Sequence, residues 1–207
     1  MKQLLLDIKP AAPPSFDNFV IGKNAELIFQ LKHALNTPLE AHFIYIWGES
    51  GSGKTHLIEA CSAQNSSAES AVVLVDNVHM LDNEAQIILF NQFNQLKAEN
   101  GTLITTGLHA PTQMGLRDDL ATRLAWGLVY HCQPLSDVDK TTALKQHAFE
   151  RGMNLPDEVT DYCLRYLRRD LPTLMATLDA LDEWSLITQK PITLPMLRKL
   201  LQLNIEF

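Results

Sequence analysis

The chain has 207 residues, of which 46% are hydrophobic and 20% are charged, a composition typical of one globular domain with or without a small appendage. The formal net charge of −7 argues against broad, non-specific DNA binding, because an acidic surface repels phosphates. Cys61, Cys132 and Cys163 form no CxxC pair, so we interpret them as small buried side chains in a reducing compartment. No apolar run is long enough for a signal peptide or a membrane span. We therefore expect a cytoplasmic protein that does not enter a membrane.

The N-terminal segment combines a short apolar stretch with a proline-rich linker. The apolar stretch is QLLLDI, residues 3–8, and the linker is KPAAPPS, residues 9–15. Prolines at this density favour an extended backbone. We predict a flexible tail and linker over residues 1–14. The folded body then begins with a helix, for which Asn24 is the expected N-terminal cap.

Four short segments predict the strands of one sheet. They alternate with helical patterns, which is typical of a parallel sheet with helices on both faces. The second run, VVLVD, is expected to be a fully buried strand like the first. We predict an α/β domain over residues 15–133, with strands in residues 43–47, 72–76, 103–106 and 127–132.

The remainder of the chain has a different pattern. After Pro134 no strand pattern occurs, and residues suited to helix starts recur at Ser136, Pro156, Pro172 and Pro195. We predict a small all-α lid domain over residues 134–207.

The sequence GESGSGKT, residues 48–55, matches the phosphate-binding P-loop pattern GxxxxGK[ST]. A strand precedes it and a helix follows it, which is the context that the motif requires. Glycines let backbone N–H groups turn toward phosphate oxygens, the helix N-terminus adds its positive end, and Lys54 reaches the β- and γ-phosphates. A glycine-rich turn without a ligand is much the rarer structure in this context. We therefore predict an ADP or ATP site formed by Gly48, Gly51, Ser52, Gly53, Lys54 and Thr55.

A carboxylate follows the second predicted strand. P-loop proteins place the acid that holds Mg²⁺ at this point, so we predict that Asp76 and Thr55 bind Mg²⁺. The alternative is an aspartate that only caps a turn. The next residue is Asn77, whose amide can position water but cannot accept a proton at neutral pH. The pattern predicts a nucleotide that binds well and is hydrolysed slowly.

Two segments resemble the DnaA/Hda branch of the AAA+ family. SFDNFVIGKNAELI, residues 15–28, resembles the start of the AAA+ domain, and LRDDLATRLAWGLVYHCQPLSDVDK, residues 116–140, resembles its later part, most closely in the Hda regulators. The resemblance implies that Arg123 is an arginine finger, which neutralises charge on the γ-phosphate in a neighbouring subunit. It also implies that Val20 and Ile21 pack beside adenine. On spacing alone, Arg123 would be a surface residue between a helix and a strand, and the other two could be core residues.

The same resemblance implies a binding partner for the N-terminal tail. Gln3, Leu4, Leu6 and Ile8 are similar to the peptide with which Hda regulators bind the DNA polymerase III sliding clamp (β subunit). A glutamine and spaced apolar residues on a flexible tail can enter a preformed groove with little reorganisation. Contact with DNA would then be indirect, through the clamp. A frayed terminus and an added edge strand are the alternatives.

The sequence departs from the family pattern in three places. The P-loop helix runs almost directly into VVLVD, which predicts a sheet that lacks one strand. Leu108 stands where the polar first sensor is expected, and Pro172 stands where the second-sensor arginine is expected. Arg168 or Arg169 would have to compensate from one helical turn away. These departures favour weak or absent intrinsic ATPase activity, with ADP as a structural ligand or a poorly occupied site.

The resemblance implies a regulator that binds the clamp and stimulates hydrolysis of DnaA-bound ATP. A free-standing ATPase or small P-loop kinase is an alternative, and appreciable turnover by the pure protein would favour it. A helicase-loader-like adaptor is another, although the acidic composition predicts no basic strip for single-stranded DNA. AAA+ modules associate head to tail, so a homo-oligomer is compatible with the resemblance.

Overall fold

The computed structural model describes residues 13–37, 40–65, 71–168 and 170–203. The clamp-like residues Gln3, Leu4, Leu6 and Ile8, and Arg169, lie outside the described residues. The described chain forms two compact units, Pro13–Leu135 and the part from Ser136 onward. No helix in these ranges is both long and apolar enough to span a membrane.

The first unit alternates helices and strands, as its sequence pattern predicts. It also contains two three-residue 3-10 helices, Val78–Met80 and Pro111–Gln113. The elements in chain order are α1 (Ala25–Asn36), β1 (His42–Trp47), α2 (Lys54–Gln64), β2 (Val72–Val75), α3 (Asn83–Glu99), β3 (Thr102–Gly107), α4 (Asp118–Trp126) and β4 (Leu128–His131).

The four strands form one parallel sheet in the order β2-β3-β1-β4. The predicted α/β architecture and the four strands are confirmed. The predicted full burial of the second strand is wrong, because β2 lies at the edge of the sheet and all four of its residues are only half-buried. Parallel strands end at the same side of a sheet, so the segments after β1, β2 and β3 lie close together there.

Alternation along the central strand β1 divides the core between two faces. Ile44 and Ile46 pack with α1 and α2, whereas Phe43 and Tyr45 pack with α3 and α4. Successive strand residues point to opposite faces, which explains why a continuous apolar run can serve two helical layers. Helices α2 and α4 therefore lie on opposite faces of the sheet.

The second unit consists of helices around a separate apolar core. Ser136 and Asp139 form a reciprocal capping box at the start of the first helix. Asp170 caps the third helix, and Pro172 lies in its first turn, where a missing N–H does no harm. The helices are α5 (Asp137–Glu150), α6 (Asp157–Tyr166), α7 (Leu171–Thr188) and α8 (Leu194–Leu203).

Candidate nucleotide site and the arginine face

The P-loop connects β1 to α2 at the end of the sheet where the strands terminate. Gly53 precedes α2 in a left-handed conformation with φ of 100°, and a Cβ there would lie 2.8 Å from Cε2 of Phe19. A Cβ on Gly48 would lie 2.5 Å from the carbonyl oxygen of Cys132. Both positions therefore require glycine, for conformation or for close approach. The loop is held by its neighbours on two sides.

Lys54 is almost completely buried, with 6% of its surface exposed. Its Nζ donates hydrogen bonds to the carbonyl oxygens of Gly48, at 2.7 Å, and Glu49, at 2.8 Å. Burial lowers the pKa of Lys54, and the nearby Cys132 and Asp76 oppose that shift. The ammonium thus lies within the curve of the loop, where a phosphate-binding lysine is needed.

Thr55 and Asp76 are brought together from two different elements. Thr55 is in the first turn of α2 and Asp76 directly follows β2, and the Thr55 hydroxyl donates to Oδ2 of Asp76 at 2.8 Å. A hydroxyl beside a carboxylate fits Mg²⁺, which takes hard oxygen ligands and combines one or two protein groups with phosphate oxygens and water. The two residues predicted to hold Mg²⁺ are therefore adjacent.

Asn77 and Thr106 complete the surroundings of this carboxylate. Asn77 adopts a left-handed conformation with φ of 54°, and its Nδ2 donates to Oδ2 of Asp76 at 2.9 Å. The Thr106 hydroxyl, at the end of β3, donates to Oδ1 of Asp76. Sequence reasoning missed Thr106, although a polar residue at the end of a buried strand was the available signal. Leu108 lies just beyond this strand and is half-buried.

The segment predicted to pack beside adenine is anchored next to the P-loop. The Phe19 ring lies against Gly53 and meets His56 edge-on, whereas Val20 is half-buried and Ile21 is 45% exposed. The core alternative therefore does not describe Ile21.

Asn24 does not cap α1 with its side chain, contrary to expectation. Its amide instead exchanges two hydrogen bonds with the Gln133 backbone, at 2.8 and 2.9 Å. These bonds tie the start of α1 to the segment after β4.

Arg123 lies inside α4, not in a connection between helix and strand. It is half-buried, and its guanidinium carbon is 5.8 Å from the ring centres of Phe90 and Phe93. Within the described residues no carboxylate forms an ion pair with it. Because α4 and α2 are on opposite faces of the sheet, Arg123 is not part of the P-loop cluster.

One turn along the same helix, Trp126 forms an exposed aromatic surface that sequence reasoning did not identify. The side chain is 57% exposed, and the Lys97 ammonium lies 4.0 Å from its ring centre. Phe43 and Phe93 meet the ring edge-on. The ring also borders a groove of about 230 Å³ that includes Leu128. A large exposed aromatic residue beside an unpaired arginine is typical of a protein–protein interface.

In the helical unit, the position at which the family pattern expects a second-sensor arginine is occupied by Pro172. Pro172 lies in the first turn of α7, which begins at Leu171, and Arg168 is highly exposed, with its Nε 3.8 Å from Oδ2 of Asp170.

Two family models match the chain. The bacterial DnaA ATPase domain matches residues 12–72 and 62–131, and the lid domain of Hda matches residues 137–201. Together they extend over both units.

Solved structures show the same fold at low identity. Domain III of the replication initiation protein DnaA from Thermotoga maritima superposes with a TM-score of 0.72 at 20% identity, covering 93% of this chain and 97% of that one. A replication initiator DnaA bound to AMPPCP and single-stranded DNA gives 0.71 at 21% identity, covering 85% and 68%. The RuvB Holliday junction branch migration motor of Thermotoga maritima gives 0.66 at 15% identity, covering 92% and 72%.

Proposed function

The chain belongs to the family of the bacterial DnaA ATPase domain and carries an Hda-type lid, and on that premise we propose that it stimulates hydrolysis of the ATP bound to DnaA. It would thereby regulate the initiation of chromosome replication, since DnaA that holds ADP is less able to start a round. This proposal places the reacting nucleotide in the partner, DnaA, and the stimulating group in this chain.

The environment of Arg123 is the observation that carries the proposal. An arginine finger must keep its guanidinium available to phosphate oxygens of another subunit. Arg123 lies on the sheet face opposite α2, rests on aromatic rings, and has no carboxylate partner in the described chain. Its planar fork remains charged at physiological pH and pairs bidentately with phosphate oxygens. Charge on the γ-phosphate of ATP bound to DnaA would be neutralised in this way.

In its own P-loop the chain would hold ADP or ATP. The loop amides and Lys54 would bind the phosphates, and Thr55 and Asp76 would hold Mg²⁺, which neutralises phosphate charge when bound. Val20 and Ile21 would pack against the base. The side-chain amide of Asn77 donates a hydrogen bond to Asp76 and cannot accept a proton from water at neutral pH. We therefore expect little intrinsic ATP hydrolysis.

The N-terminal tail would recruit the protein to DNA-loaded sliding clamps. Gln3, Leu4, Leu6 and Ile8 would occupy a groove of the β subunit, and the linker to residue 14 would let the body reach DnaA. DNA would be contacted only through the clamp. Head-to-tail association into a homo-oligomer would use the same Arg123 face and compete with DnaA.

The direct test is hydrolysis of ATP bound to DnaA, measured with and without this protein and with and without DNA-loaded clamp. We expect hydrolysis to accelerate only when all components are present. Replacing Gln3, Leu4 and Leu6 by alanine should abolish clamp binding and stimulation while the melting temperature stays unchanged, because a tail outside the core contributes little to folding. Wild-type protein that binds clamp and leaves DnaA-bound ATP intact would refute the proposal. Rapid ATP turnover by the pure protein would favour a free-standing ATPase, and tight binding of single-stranded DNA would favour a loader-like adaptor.

A further inference from the structure

The hydroxyl of Thr106 links the two residues that follow β2. It donates a hydrogen bond to Oδ1 of Asp76 and accepts one from the backbone N–H of Asn77 at 2.9 Å. We propose that Thr106 is a positioning residue that orients the Mg²⁺-binding carboxylate of Asp76. The inference deepens the proposed nucleotide site and rests on it, since it concerns how that site would hold its cation.

The direction of these hydrogen bonds is fixed by chemistry. A backbone N–H can only donate, so the Thr106 oxygen must accept from Asn77. A hydroxyl has one proton, and a carboxylate can only accept, so that proton must point at Asp76. Thr106 therefore cannot rotate its hydroxyl elsewhere without leaving a buried polar group unpaired, and it holds Oδ1 in one place.

The two oxygens of the carboxylate have different partners. Oδ1 accepts from Thr106, whereas Oδ2 accepts from the Thr55 hydroxyl at 2.8 Å and from Asn77 Nδ2 at 2.9 Å. Fixing Oδ1 from the sheet side turns Oδ2 toward α2 and Thr55, the other predicted metal-binding group. A partner that orients a metal-binding carboxylate in this way commonly changes metal affinity by about 10- to 100-fold when it is removed.

The neighbouring threonine in β3 provides a control for Thr106. Thr105 and Thr106 are both buried in β3, at 1% and 0% exposure. They point to opposite faces of the sheet, and the Thr105 hydroxyl is buried with no hydrogen-bond partner among the described residues. Thr105 thus offers a matched control, because the same substitution there removes a hydroxyl that holds nothing.

The test is ADP binding measured by calorimetry with Mg²⁺ and with EDTA, together with the melting temperature of each nucleotide-free protein. The variants are Thr106→Val, Thr106→Ala, Thr106→Ser and Thr105→Val. We expect Mg²⁺ to tighten ADP binding to wild type, to Thr106→Ser and to Thr105→Val. In Thr106→Val and Thr106→Ala that tightening should fall by about 10-fold or more, while affinity in EDTA stays near wild type. Thr106→Ala guards against misfolding, since it places no methyl group beside the carboxylate.

Equal Mg²⁺ dependence in wild type and both hydroxyl-free variants would overturn the positioning role. Loss of the dependence in Thr106→Ser as well would also overturn it, because serine keeps the hydroxyl. Wild-type protein that binds no ADP, or binds it without regard to Mg²⁺, would instead overturn the proposed nucleotide site on which this inference rests.

Discussion

Two cations carry the proposed function, and their surroundings are opposite. Lys54 is 6% exposed and donates to two loop carbonyls, so its position is fixed by the chain that it serves. Arg123 is half-buried, lies over two rings and has no carboxylate partner in the described residues. A group that binds the chain's own ligand can be held by internal hydrogen bonds. A group that must act on a partner's ligand has to keep its hydrogen-bonding capacity free until the partner arrives.

Replacement of Arg123 tests whether its guanidinium acts on the nucleotide of the partner, and it has the largest expected effect. An arginine supplied to a neighbouring site is worth about 10³- to 10⁵-fold in phosphoryl transfer, so Arg123→Ala should lose most of the stimulation of DnaA-ATP hydrolysis. Arg123→Lys should recover little, because an ammonium lacks the planar fork. ADP affinity, clamp binding and melting temperature should be unchanged.

Arg117→Ala is the control for Arg123, since Arg117 is near the same helix but is paired with Asp119 at 2.8 Å. It should stimulate as wild type does. An Arg123→Ala protein with full stimulation would show that the unpaired guanidinium is not the finger.

Replacement of Lys54 tests whether this buried lysine binds the chain's own nucleotide. ADP at about 100 times its Kd should stabilise the wild type by about 2.7 kcal/mol, because it binds only the folded state. Lys54→Ala should remove this ADP-dependent rise in melting temperature. Lys145→Ala, which removes an exposed lysine of the helical unit, should keep it. A wild type whose melting temperature does not respond to ADP would mean that the loop binds no nucleotide.

Substitution of Trp126 distinguishes docking of the partner from the chemistry at Arg123. If the exposed ring is an anchor for the partner, Trp126→Ala should weaken association by about 2 kcal/mol, or about 30-fold. The concentration that gives half-maximal stimulation should rise accordingly, while the maximal rate stays near wild type. Arg123→Ala should do the reverse. Phe149→Ala, which removes a 79% exposed aromatic residue from the helical unit, should change neither quantity. A lower maximal rate with unchanged half-maximal concentration would contradict the docking role of Trp126.

The burial of Lys54 predicts the smallest effect, a change of ADP affinity with pH. Its pKa is lowered in the folded protein, mainly by desolvation, so the ammonium loses its proton at a lower pH than an exposed lysine would. Phosphate binding requires the charged form. Affinity should therefore fall as the pH rises through the lowered pKa, by at most about tenfold per pH unit. Titration calorimetry at increasing alkaline pH would show this slope in wild type, and an ADP affinity that stays constant across that range would contradict the prediction.

The sequence allowed the architecture to be predicted because its signals were local. Each strand was a short segment between helical patterns, and the motif GESGSGKT fixed the position of the loop between β1 and α2. The adjacency of Thr55 and Asp76 followed from the rule that parallel strands end at one side of a sheet.

The remaining features depend on which elements become neighbours, and a run of apolar letters does not specify that. VVLVD was expected to be a fully buried strand, but β2 lies at an edge and is half-buried, because strand order is set by the whole topology. Asn24 has the residue type of a cap but bonds to Gln133, more than a hundred positions away in the chain. Thr106 contacts Asp76 because β2 and β3 are neighbouring strands, and the sequence alone does not specify that pairing.

The edge position of β2 has a consequence for handling the protein. Val72, Val73, Leu74 and Val75 carry no charge, and within the described residues no strand pairs with their outer side. An uncharged edge with free N–H and C=O groups is a template onto which another chain can add a strand. We therefore expect this short segment to promote self-association at high protein concentration. A lysine introduced at the outer edge is the natural remedy for concentrated samples, since charged edges resist such pairing.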